Sequence, residues 1–452
     1  MNVLLIQPPS CEPLLDRIHL FEPLALEYLG AGLKLDGHAP TILDARLEPD
    51  IEGALRRVRP ALVGITGFTN HVNIVKAIAA RLKAIDPAVT VVVGGHHATV
   101  CPADFDVPQV DLVAIGEGVF TLREIAREME RGKAWHDIAG LGIPSPQGMT
   151  FTPARPMAAL DELPRPDRSL TVRYRHNYFS EWVRPLASIR TSLGCTARCT
   201  FCALWRLTGG RYLRRDPQQV VAELKTIAEP HVFLCDDESM CDARRMDKLA
   251  DLVRAAGIRK TYFLHARADT IVAHPELFAK WAALGLRQVF VGMEACSDAR
   301  LAAMNKGVTT AQQAKAAQIL DELGIMLYAS FMVDPDFSRD DFRSLAAYVR
   351  RLKPESAVFA VMTPLPGTDL HAARQGELLS REPELFDLLH ALLPTRLPPA
   401  EFYAELARLY ETAMPLRTAL GSLPRFGPRG LLLRLRLFGT FLQRVRAAHL
   451  DY

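Results

Sequence analysis

The chain has 452 residues, of which 49% are hydrophobic and 23% are charged. This composition supports two or three packed cores and excludes a disordered protein. A formal net charge of +3 is too small to predict nucleic-acid binding, and eight cysteines in so long a chain do not resemble a disulfide framework. The first residues lack a basic region, and no uncharged run approaches the roughly 20 apolar residues of a membrane span, so we expect a cytoplasmic protein.

Residues 1–136 alternate short apolar runs with amphipathic stretches, which is the pattern of βαβ units in a doubly wound parallel sheet. Ligands of such sheets bind at the carboxyl ends of the strands. Here those ends include TGFTN, GGHHAT and GEG, where glycines allow close backbone approach and Thr66, Thr69 and His96 offer hydrogen bonds. The alternative is that these loops are only tight turns. The predicted strands are Val3–Ile6, Thr41–Leu43, Leu62–Thr66, Val89–Val93 and Leu112–Ile115.

Residues 137–185 form a proline-rich connector, which predicts a domain boundary. In residues 186–372, six apolar runs are separated by helical patterns, as in an incomplete barrel of βα units. Residues 373–452 are predicted to be a helical region. Chemistry in βα barrels is located at the carboxyl ends of the strands, and the polar residues that follow the runs are Asp236, Asp237, Glu238, Arg267, Asp269 and Glu294.

Three cysteines, Cys195, Cys199 and Cys202, follow the first of these runs in GCTARCTFCALW. Three thiolates can hold three irons of a four-iron cluster and leave the fourth iron open to another ligand. The aromatic residue Phe201 before the last cysteine strengthens this prediction. The alternative is a zinc site completed by a distant histidine or cysteine. Apolar neighbours predict that the remaining cysteines of this region are bystanders, namely Cys235, Cys241 and Cys296.

CTARCTFC resembles the cluster motif of the radical S-adenosylmethionine enzymes, and the residues before it resemble the cobalamin-binding domain that often precedes that motif. The resemblance covers about residues 1 to 370. It implies an α/β protein with an N-terminal doubly wound, Rossmann-like cobalamin-binding domain, a partial (β/α)6 TIM-type barrel and a helical C-terminal region. FEPLALEYLGAGLKLDGH, CALWRLTGGRY, EPHVFLCDDESM and DPDF are most similar to the hopanoid C-3 methylase group, with the anaerobic tetrapyrrole ring cyclase as a more distant relative.

The resemblance implies a C-methyltransferase with three cofactors: a [4Fe-4S] cluster, S-adenosylmethionine and cobalamin. An external one-electron reductant of the flavodoxin or ferredoxin type would allow formation of a 5′-deoxyadenosyl radical. That radical would take a hydrogen atom from an unactivated carbon of a hydrophobic, hopanoid-like substrate, and methylcobalamin would supply the methyl group. One alternative is an oxidative cyclase or hydroxylase acting on a tetrapyrrole or another secondary metabolite. A non-catalytic sensor that binds the cluster and cobalamin is the other.

The resemblance also implies roles for single residues. Asp236, Asp237 and Glu238 would receive the methionyl ammonium group, Arg267 the methionyl carboxylate and Glu294 a ribose hydroxyl. Phe201 would also contact S-adenosylmethionine. PLPGTD resembles the turn beneath the adenine. For each charged residue the alternative is a structural ion pair at a strand end. The loop QPPSCEP lacks the histidine that ligates cobalt in many cobalamin proteins. The residues implied to contact cobalamin instead are Thr66, Thr69, Gly94, Gly95, His96, Gly116 and Glu117.

From residue 415 onward the chain has seven arginines and one acid, Asp451. Apolar residues recur there at helical spacing, with arginines opposite and beside them. This pattern predicts a basic amphipathic helix that lies on the inner face of the membrane. The alternative is a helix packed on the barrel. The predicted apolar stripe comprises Leu431, Leu435, Phe438, Leu442 and Val445, and the arginines predicted to lie opposite are Arg429, Arg436 and Arg444.

Overall fold

The structure is a computed structural model that describes residues 1–132, 134–413 and 423–452, and the side chains of residues 423–427 and 429 lie outside this description. Contacts within the chain define two compact units. The first unit comprises residues 1–189, 206–209 and 213–229. The second comprises residues 190–205, 210–212 and 230–452.

The first unit contains a seven-stranded sheet in the order β2-β1-β3-β4-β5-β6-β7. Strands β1 to β5 are parallel, and β6 and β7 continue the sheet in antiparallel pairing. The five predicted parallel strands are therefore confirmed, within two residues at each end. The strands are β1 (Asn2–Gln7), β2 (Ala39–Asp44), β3 (Leu62–Thr66), β4 (Thr90–Gly94), β5 (Leu112–Ala114), β6 (Leu141–Ile143) and β7 (Thr150–Phe151).

Helices cover both faces of this sheet, as expected for a doubly wound fold. On one face, Leu55 and Val75 belong to a buried cluster with the strand residue Ile65. On the other face, Leu33 and Ile125 belong to a second cluster. The helices of this unit are α1 (Leu24–Leu35), α2 (Ile51–Val58), α3 (Val72–Ile85), α4 (His96–Val100) and α5 (Gly118–Arg131).

The barrel sheet has six strands in the order β15-β14-β13-β12-β11-β8, and β11 to β15 pair in parallel. This order confirms the predicted partial barrel. The strands after β7 are β8 (Leu186–Ile189), β9 (Ser192–Leu193), β10 (Leu213–Arg214), β11 (His231–Leu234), β12 (Thr261–His265), β13 (Leu286–Glu294), β14 (Met326–Val333) and β15 (Ser356–Val361).

Helices alternate with these strands, because apolar residues at helical spacing need a surface on which to be buried. Met246, Leu249 and Phe278, for example, are buried on α8 and α10. The helices are α6 (Leu204–Leu207), α7 (Pro217–Leu224), α8 (Ala243–Ala255), α9 (Ala268–Ala273), α10 (Pro275–Leu284), α11 (Asp298–Ala303), α12 (Thr310–Glu322), α13 (Arg339–Leu352), α14 (Asp369–Arg374), α15 (Pro399–Ala413) and α16 (Leu423–Ala447).

The tail helix α16 differs from the prediction of one continuous membrane-facing stripe. Leu442 and Val445 are buried, and the Phe441 ring packs edge-on against Tyr410 of α15 at 4.8 Å between centroids. Leu435, by contrast, is 41% exposed. Helical periodicity locates an apolar face but does not say which half of it is covered by the protein itself. Residues 414–422 and the side chain of residue 429, which belonged to the same prediction, lie outside the described residues.

No helix within the described residues is both long enough and apolar enough to cross a membrane.

Candidate functional site

Two of the predicted cofactor acids hold the backbone that leads into the cysteine motif. The Asp236 carboxylate accepts hydrogen bonds from the N–H and the hydroxyl of Thr191, both at 2.6 Å, and from the N–H of Ser192 at 2.9 Å. The Asp237 carboxylate accepts one from the N–H of Gly194 at 2.7 Å. Because Asp236 is buried and already has these partners, its geometry favours a structural role over binding of the methionyl ammonium group.

The three predicted cluster cysteines lie together in the second unit. Burial and the neighbouring thiols of Cys199 and Cys195 raise the pKa of Cys202 to about 11. Burial also raises the pKa of Cys195, although the Arg267 guanidinium opposes this effect. Grouped thiols that hold their protons in the protein alone become ligands when a metal displaces those protons. This donor set therefore fits a [4Fe-4S] cluster with three thiolate ligands and one open iron.

A fourth cysteine borders the same loop, although its apolar neighbours in the sequence predicted only a bystander. The sulfur atom of Cys241 lies 3.8 Å from the hydroxyl oxygen of Thr196. The thiols of Cys241 and Cys195 are close enough to interact electrostatically. Cys241 is therefore the most demanding control for assigning the cluster ligands.

Glu238 is the predicted cofactor acid whose carboxylate meets no group in hydrogen-bond geometry within the described part of the chain. Its side chain is buried, and neither carboxylate oxygen has a hydrogen-bond partner among the described residues. Burial raises the pKa of Glu238 to about 7, an effect that the nearby backbone N–H and the positive charge of Arg267 oppose and that the negative charge of Asp269 reinforces. A buried polar group without a partner is costly, and a cation beside it would favour the ionised form. Glu238 thus fits the ammonium group of S-adenosylmethionine best.

Lys306, which the sequence analysis missed, connects three residues predicted to bind S-adenosylmethionine. Its ammonium group donates to the Glu294 carboxylate at 2.7 Å and lies 6.0 Å from the centre of the Phe201 ring. Its carbonyl accepts a hydrogen bond from the Arg267 guanidinium at 2.8 Å. Arg267 also donates to both carboxylate oxygens of Asp269, at 3.0 and 2.9 Å. Arg267 and Glu294 therefore already have protein partners, as the structural alternative anticipated.

A β-bulge orients Glu294 at the carboxyl end of β13. The pairing of β13 with β14 slips between Gly292 and Glu294, and Glu294 has a φ of 62°, in the left-handed region. A side chain added at Gly292 would collide with the Glu294 carboxylate. Bulges and left-handed residues often re-aim side chains at functional sites, at a cost in backbone strain. The bulge brings Glu294 beside Gly292 and within reach of Lys306.

The barrel strands bury one face and leave the other partly exposed. On the outer face, Tyr262 packs edge-on against Trp281 at 5.4 Å, and Phe331 against Tyr348 at 6.3 Å. Residues three positions apart in a strand point to opposite faces. The other face, here called the inner face, therefore carries half-buried and mostly apolar residues, namely Phe233, His265, Phe290, Tyr328, Ser330, Met332, Val358 and Ala360.

In the first unit, the glycines predicted to contact cobalamin lie at the carboxyl ends of β4 and β5. Gly95 has a φ of 100°, and an added Cβ atom would lie 2.6 Å from the Thr66 hydroxyl, so the turn itself requires glycine. At Gly94 an added Cβ would make only ordinary contacts with Ala114, the nearest at 3.6 Å. At Gly116, no atom of the described residues lies within 4 Å of an added Cβ. These positions fit a ligand that approaches the backbone closely.

Two other residues predicted to contact cobalamin have partners within the protein. The Thr69 hydroxyl lies 3.1 Å from Nδ1 of His97, whose Nε2 is 2.8 Å from the Asp104 carboxylate. The Glu117 carboxylate accepts hydrogen bonds from the N–H groups of Val119 and Phe120 and so caps the start of α5. Thr69 and Glu117 therefore have hydrogen-bond partners within the protein, and neither side chain needs a ligand as a partner.

Phe68 is a further candidate contact that the sequence analysis did not single out. It follows β3 and is 62% exposed, and its ring lies 5.9 Å from that of the predicted contact His96. Burial lowers the pKa of His96, which keeps the imidazole neutral. An exposed aromatic ring beside a neutral histidine at a strand end offers a flat surface for a large ligand. Phe68 could have been selected from the sequence, because it lies in TGFTN, one of the loops predicted to bind a ligand.

Comparisons with known proteins agree with this geometry. Residues 19–126 match the family model of the B12 binding domain, and residues 189–349 match that of the Radical SAM superfamily. The hopanoid C-3 methylase of Methylococcus capsulatus is 31% identical over 428 residues, which cover 91% of this chain and 81% of that protein. The anaerobic magnesium-protoporphyrin IX monomethyl ester cyclase of Rubrivivax gelatinosus is 25% identical, over 82% of this chain and 69% of that protein.

A solved structure shares the fold. The radical S-adenosylmethionine methyltransferase TsrM from Kitasatospora setae, with cobalamin and a [4Fe-4S] cluster bound, superimposes with a TM-score of 0.74 at 19% identity and covers 99% of each chain. The comparisons confirm the predicted fold, cofactors and enzyme class. This chain therefore belongs to the cobalamin-dependent radical S-adenosylmethionine methyltransferases, the family of its hopanoid C-3 methylase relative.

Proposed function

We propose that this methyltransferase adds a methyl group to an unactivated carbon of a hopanoid-like polycyclic lipid. The observation that carries the proposal is the 31% identity to the hopanoid C-3 methylase over 91% of the chain. The inner face of the barrel supports an apolar substrate, because Phe290, Met332 and Val358 present apolar side chains there. An external one-electron reductant of the flavodoxin or ferredoxin type is part of the proposal.

The residues of the chain would bind and orient the reacting groups. When bound, the iron–sulfur cluster with S-adenosylmethionine supplies a radical that takes a hydrogen atom, and cobalamin supplies the methyl group. Cys195, Cys199 and Cys202 would hold the cluster, since their thiols lie together. Glu238 would bind the ammonium group of S-adenosylmethionine, because no described group lies in hydrogen-bond geometry to its buried carboxylate. The apolar inner face would exclude water from the substrate carbon.

The decisive measurement is the mass of the product. Reconstituted protein is incubated anaerobically with S-adenosylmethionine, cobalamin, a reductant and a bacterial lipid extract that contains hopanoids. We expect a lipid heavier by one methylene group, together with 5′-deoxyadenosine. The 25% identity to the ring cyclase favours a second candidate, oxidative cyclisation or hydroxylation of a tetrapyrrole or another secondary metabolite. A product that gains oxygen or loses hydrogen without gaining a methyl group would support that candidate and contradict methylation.

We also propose that α16 binds the membrane surface where the lipid substrate resides. Leu432, Leu433 and Leu435 are 58%, 59% and 41% exposed, respectively. Arg434 and Arg436 alternate with these leucines in the sequence. Exposed leucines with basic residues beside them suit an interface in which the apolar groups enter the lipid and the charges reach the phosphates. The rest of the helix, with Leu442 and Val445 buried, would anchor this patch to the protein.

Flotation with vesicles tests the membrane proposal. We expect the wild-type protein to float with vesicles that contain phosphatidylglycerol. Replacement of Leu432, Leu433 and Leu435 by serine should abolish flotation. Leu379→Ser is the matched control, because Leu379 is 58% exposed but lies outside α16. Equal flotation of the triple variant and the control would contradict the proposal.

A further inference from the structure

Four aromatic side chains form a continuous row across the inner face of the barrel. Phe233, His265, Phe290 and Tyr328 lie on the neighbouring strands β11, β12, β13 and β14. Successive ring centroids are 5.1, 5.0 and 5.2 Å apart. His265 pairs in register with Phe290, and Phe290 pairs with Tyr328. We call these four residues the aromatic row.

The aromatic row faces a space that the protein leaves partly open. All four of its side chains are half-buried, whereas the outer-face neighbours Leu264 and Val291 are buried. On these strands, the inner-face side chains remain partly exposed to solvent while the outer-face side chains pack against helices. Such strands border a cavity or a channel rather than a filled core. Aromatic rings in such a place offer a broad, rigid apolar surface for a polycyclic molecule.

His265 gives this row a directional polar group. Burial lowers the pKa of His265 to about 4, so the imidazole is neutral at physiological pH. One ring nitrogen interacts with the backbone carbonyl of Asp236. Since a carbonyl oxygen only accepts hydrogen bonds, that nitrogen carries the proton, and the other ring nitrogen of the neutral imidazole is an acceptor. This acceptor can receive a hydrogen bond from a donor such as a hydroxyl group.

His265 also lies close to Glu238, the candidate residue for binding S-adenosylmethionine. It is the last residue of β12, and its carbonyl accepts a hydrogen bond from the N–H of Ser239 at 3.0 Å. Ser239 is adjacent to Glu238, the candidate site for S-adenosylmethionine. A group held by His265 would therefore lie near the carboxyl ends of the strands, where barrel enzymes perform their chemistry.

We propose that His265 accepts a hydrogen bond from the hydroxyl group of an otherwise apolar polycyclic substrate and so positions the substrate carbon for reaction. This inference rests on the proposed function and specifies the substrate as a polycyclic alcohol. The aromatic row holds the ring system, and the single acceptor on His265 fixes its orientation. His265 is thus a specificity-determining and positioning residue.

Binding of three fluorescent probes tests the inference without turnover. Pyrene is a flat polycycle without polar groups, 1-hydroxypyrene adds a hydrogen-bond donor and 1-methoxypyrene adds only an acceptor. We expect the reconstituted wild-type protein to bind 1-hydroxypyrene several-fold to about tenfold more tightly than the other two, the size expected for one buried hydrogen bond. His265→Phe should abolish this preference. His265→Gln, whose side-chain carbonyl is an acceptor, should keep much of it.

Phe290→Leu is the matched control from the same row. It should weaken binding of all three probes equally, since it removes ring surface but no hydrogen bond. Unchanged iron and cobalamin contents would show that each variant is folded. A hydroxyl preference that persists in His265→Phe, or wild-type protein that binds none of the probes, would overturn the inference. Failure to methylate hopanoids would instead contradict the proposed function, because the probe measurements do not depend on methyl transfer.

Discussion

The ammonium group of Lys306 donates to the carboxylate of Glu294 at 2.7 Å, and both side chains are buried. The bulge at the end of β13 is what brings this carboxylate within reach. Lys306 also accepts a hydrogen bond from Arg267 through its carbonyl. One buried lysine therefore sets the positions of two charged residues predicted to bind S-adenosylmethionine.

Replacing Lys306 should damage both stability and cofactor binding. Lys306→Met leaves the Glu294 carboxylate buried and unpaired, which costs about 3–5 kcal/mol in comparable pairs. We expect a lower melting temperature and at least about tenfold weaker binding of S-adenosylmethionine. Thermal denaturation and equilibrium dialysis measure the two effects.

The double variant Lys306→Met with Glu294→Gln separates the two roles. It should recover stability, because no charge is left unpaired, but it should not recover cofactor binding if Glu294 contacts the ribose. Lys280→Met is the control, since Lys280 pairs with the exposed carboxylate of Asp247 and such pairs contribute at most about 1 kcal/mol. Normal cofactor binding by both Lys306 variants would show that the pair is only structural.

The parallel strands and the cysteine motif were predictable because they depend on local patterns. The apolar run of β3 and the spacing of Cys195, Cys199 and Cys202 are visible in a few consecutive residues. Lys306 was not predictable, because its partner Glu294 lies 12 residues away and meets it only through a bulge.

The acids at the strand ends also show that the sequence does not reveal which side chains meet in the folded protein. Asp236, Asp237 and Glu238 are adjacent in the sequence and were assigned one role. Asp236 and Asp237 accept backbone hydrogen bonds at 2.6 to 2.9 Å, whereas neither Glu238 oxygen has a described group within hydrogen-bond geometry. Glu117 caps α5, a position that serine, threonine, aspartate and asparagine usually occupy. Which acid remains available to a ligand depends on the N–H groups that the fold brings beside it.

Loss of any cluster cysteine should remove the iron–sulfur chromophore. Cys195→Ala, Cys199→Ala and Cys202→Ala each leave two thiolates, which cannot hold a four-iron cluster securely. Cys241→Ala should keep iron and sulfide at wild-type levels, although Cys241 lies beside the same loop. Iron and sulfide analysis after anaerobic reconstitution measures this. Iron loss in Cys241→Ala, or full iron in a variant that lacks all three motif cysteines, would refute the assignment.

A side chain at Gly94 should exclude cobalamin without unfolding the first unit. An added Cβ meets only ordinary contacts there, so Gly94→Val blocks the approach of a ligand rather than the fold. Gly95 is unsuitable for this test, because its φ of 100° and the nearby Thr66 hydroxyl make any side chain strained. We expect no cobalamin absorbance in Gly94→Val and an unchanged iron content. Gly376→Val should bind cobalamin normally, because none of the described atoms lies within 4 Å of a Cβ added at that position. Equal uptake by both variants would refute the site.

The last prediction concerns a buried ionic network in the first unit. Glu27 lies 4.0 Å from Arg168 and 3.5 Å from Arg175. Burial, reinforced by the negative charge of Glu22, raises the pKa of Glu27 to about 8. The acids of the network outnumber its arginines by one, which agrees with one proton being retained; its members are Glu22, Glu27, Glu223, Glu229, Arg168, Arg175 and Arg215.

Stability should therefore fall as the pH rises toward 8. The folded chain keeps the Glu27 proton up to a pH of about 8, whereas the unfolded chain loses it near 4.5, the ordinary pKa of a glutamate side chain. The unfolded state thus binds fewer protons across this window, and the free energy of unfolding decreases with increasing pH. Glu27→Gln is uncharged at every pH. Its melting temperature relative to wild type should rise by a few degrees between pH 6 and pH 8. Glu48→Gln is the control, because hydrogen bonding to Tyr174 lowers the pKa of Glu48. The Glu48 carboxyl group is therefore ionised in both the folded and the unfolded protein between pH 6 and pH 8. A difference between Glu27→Gln and wild type that does not change with pH would show that Glu27 is already ionised in the folded protein.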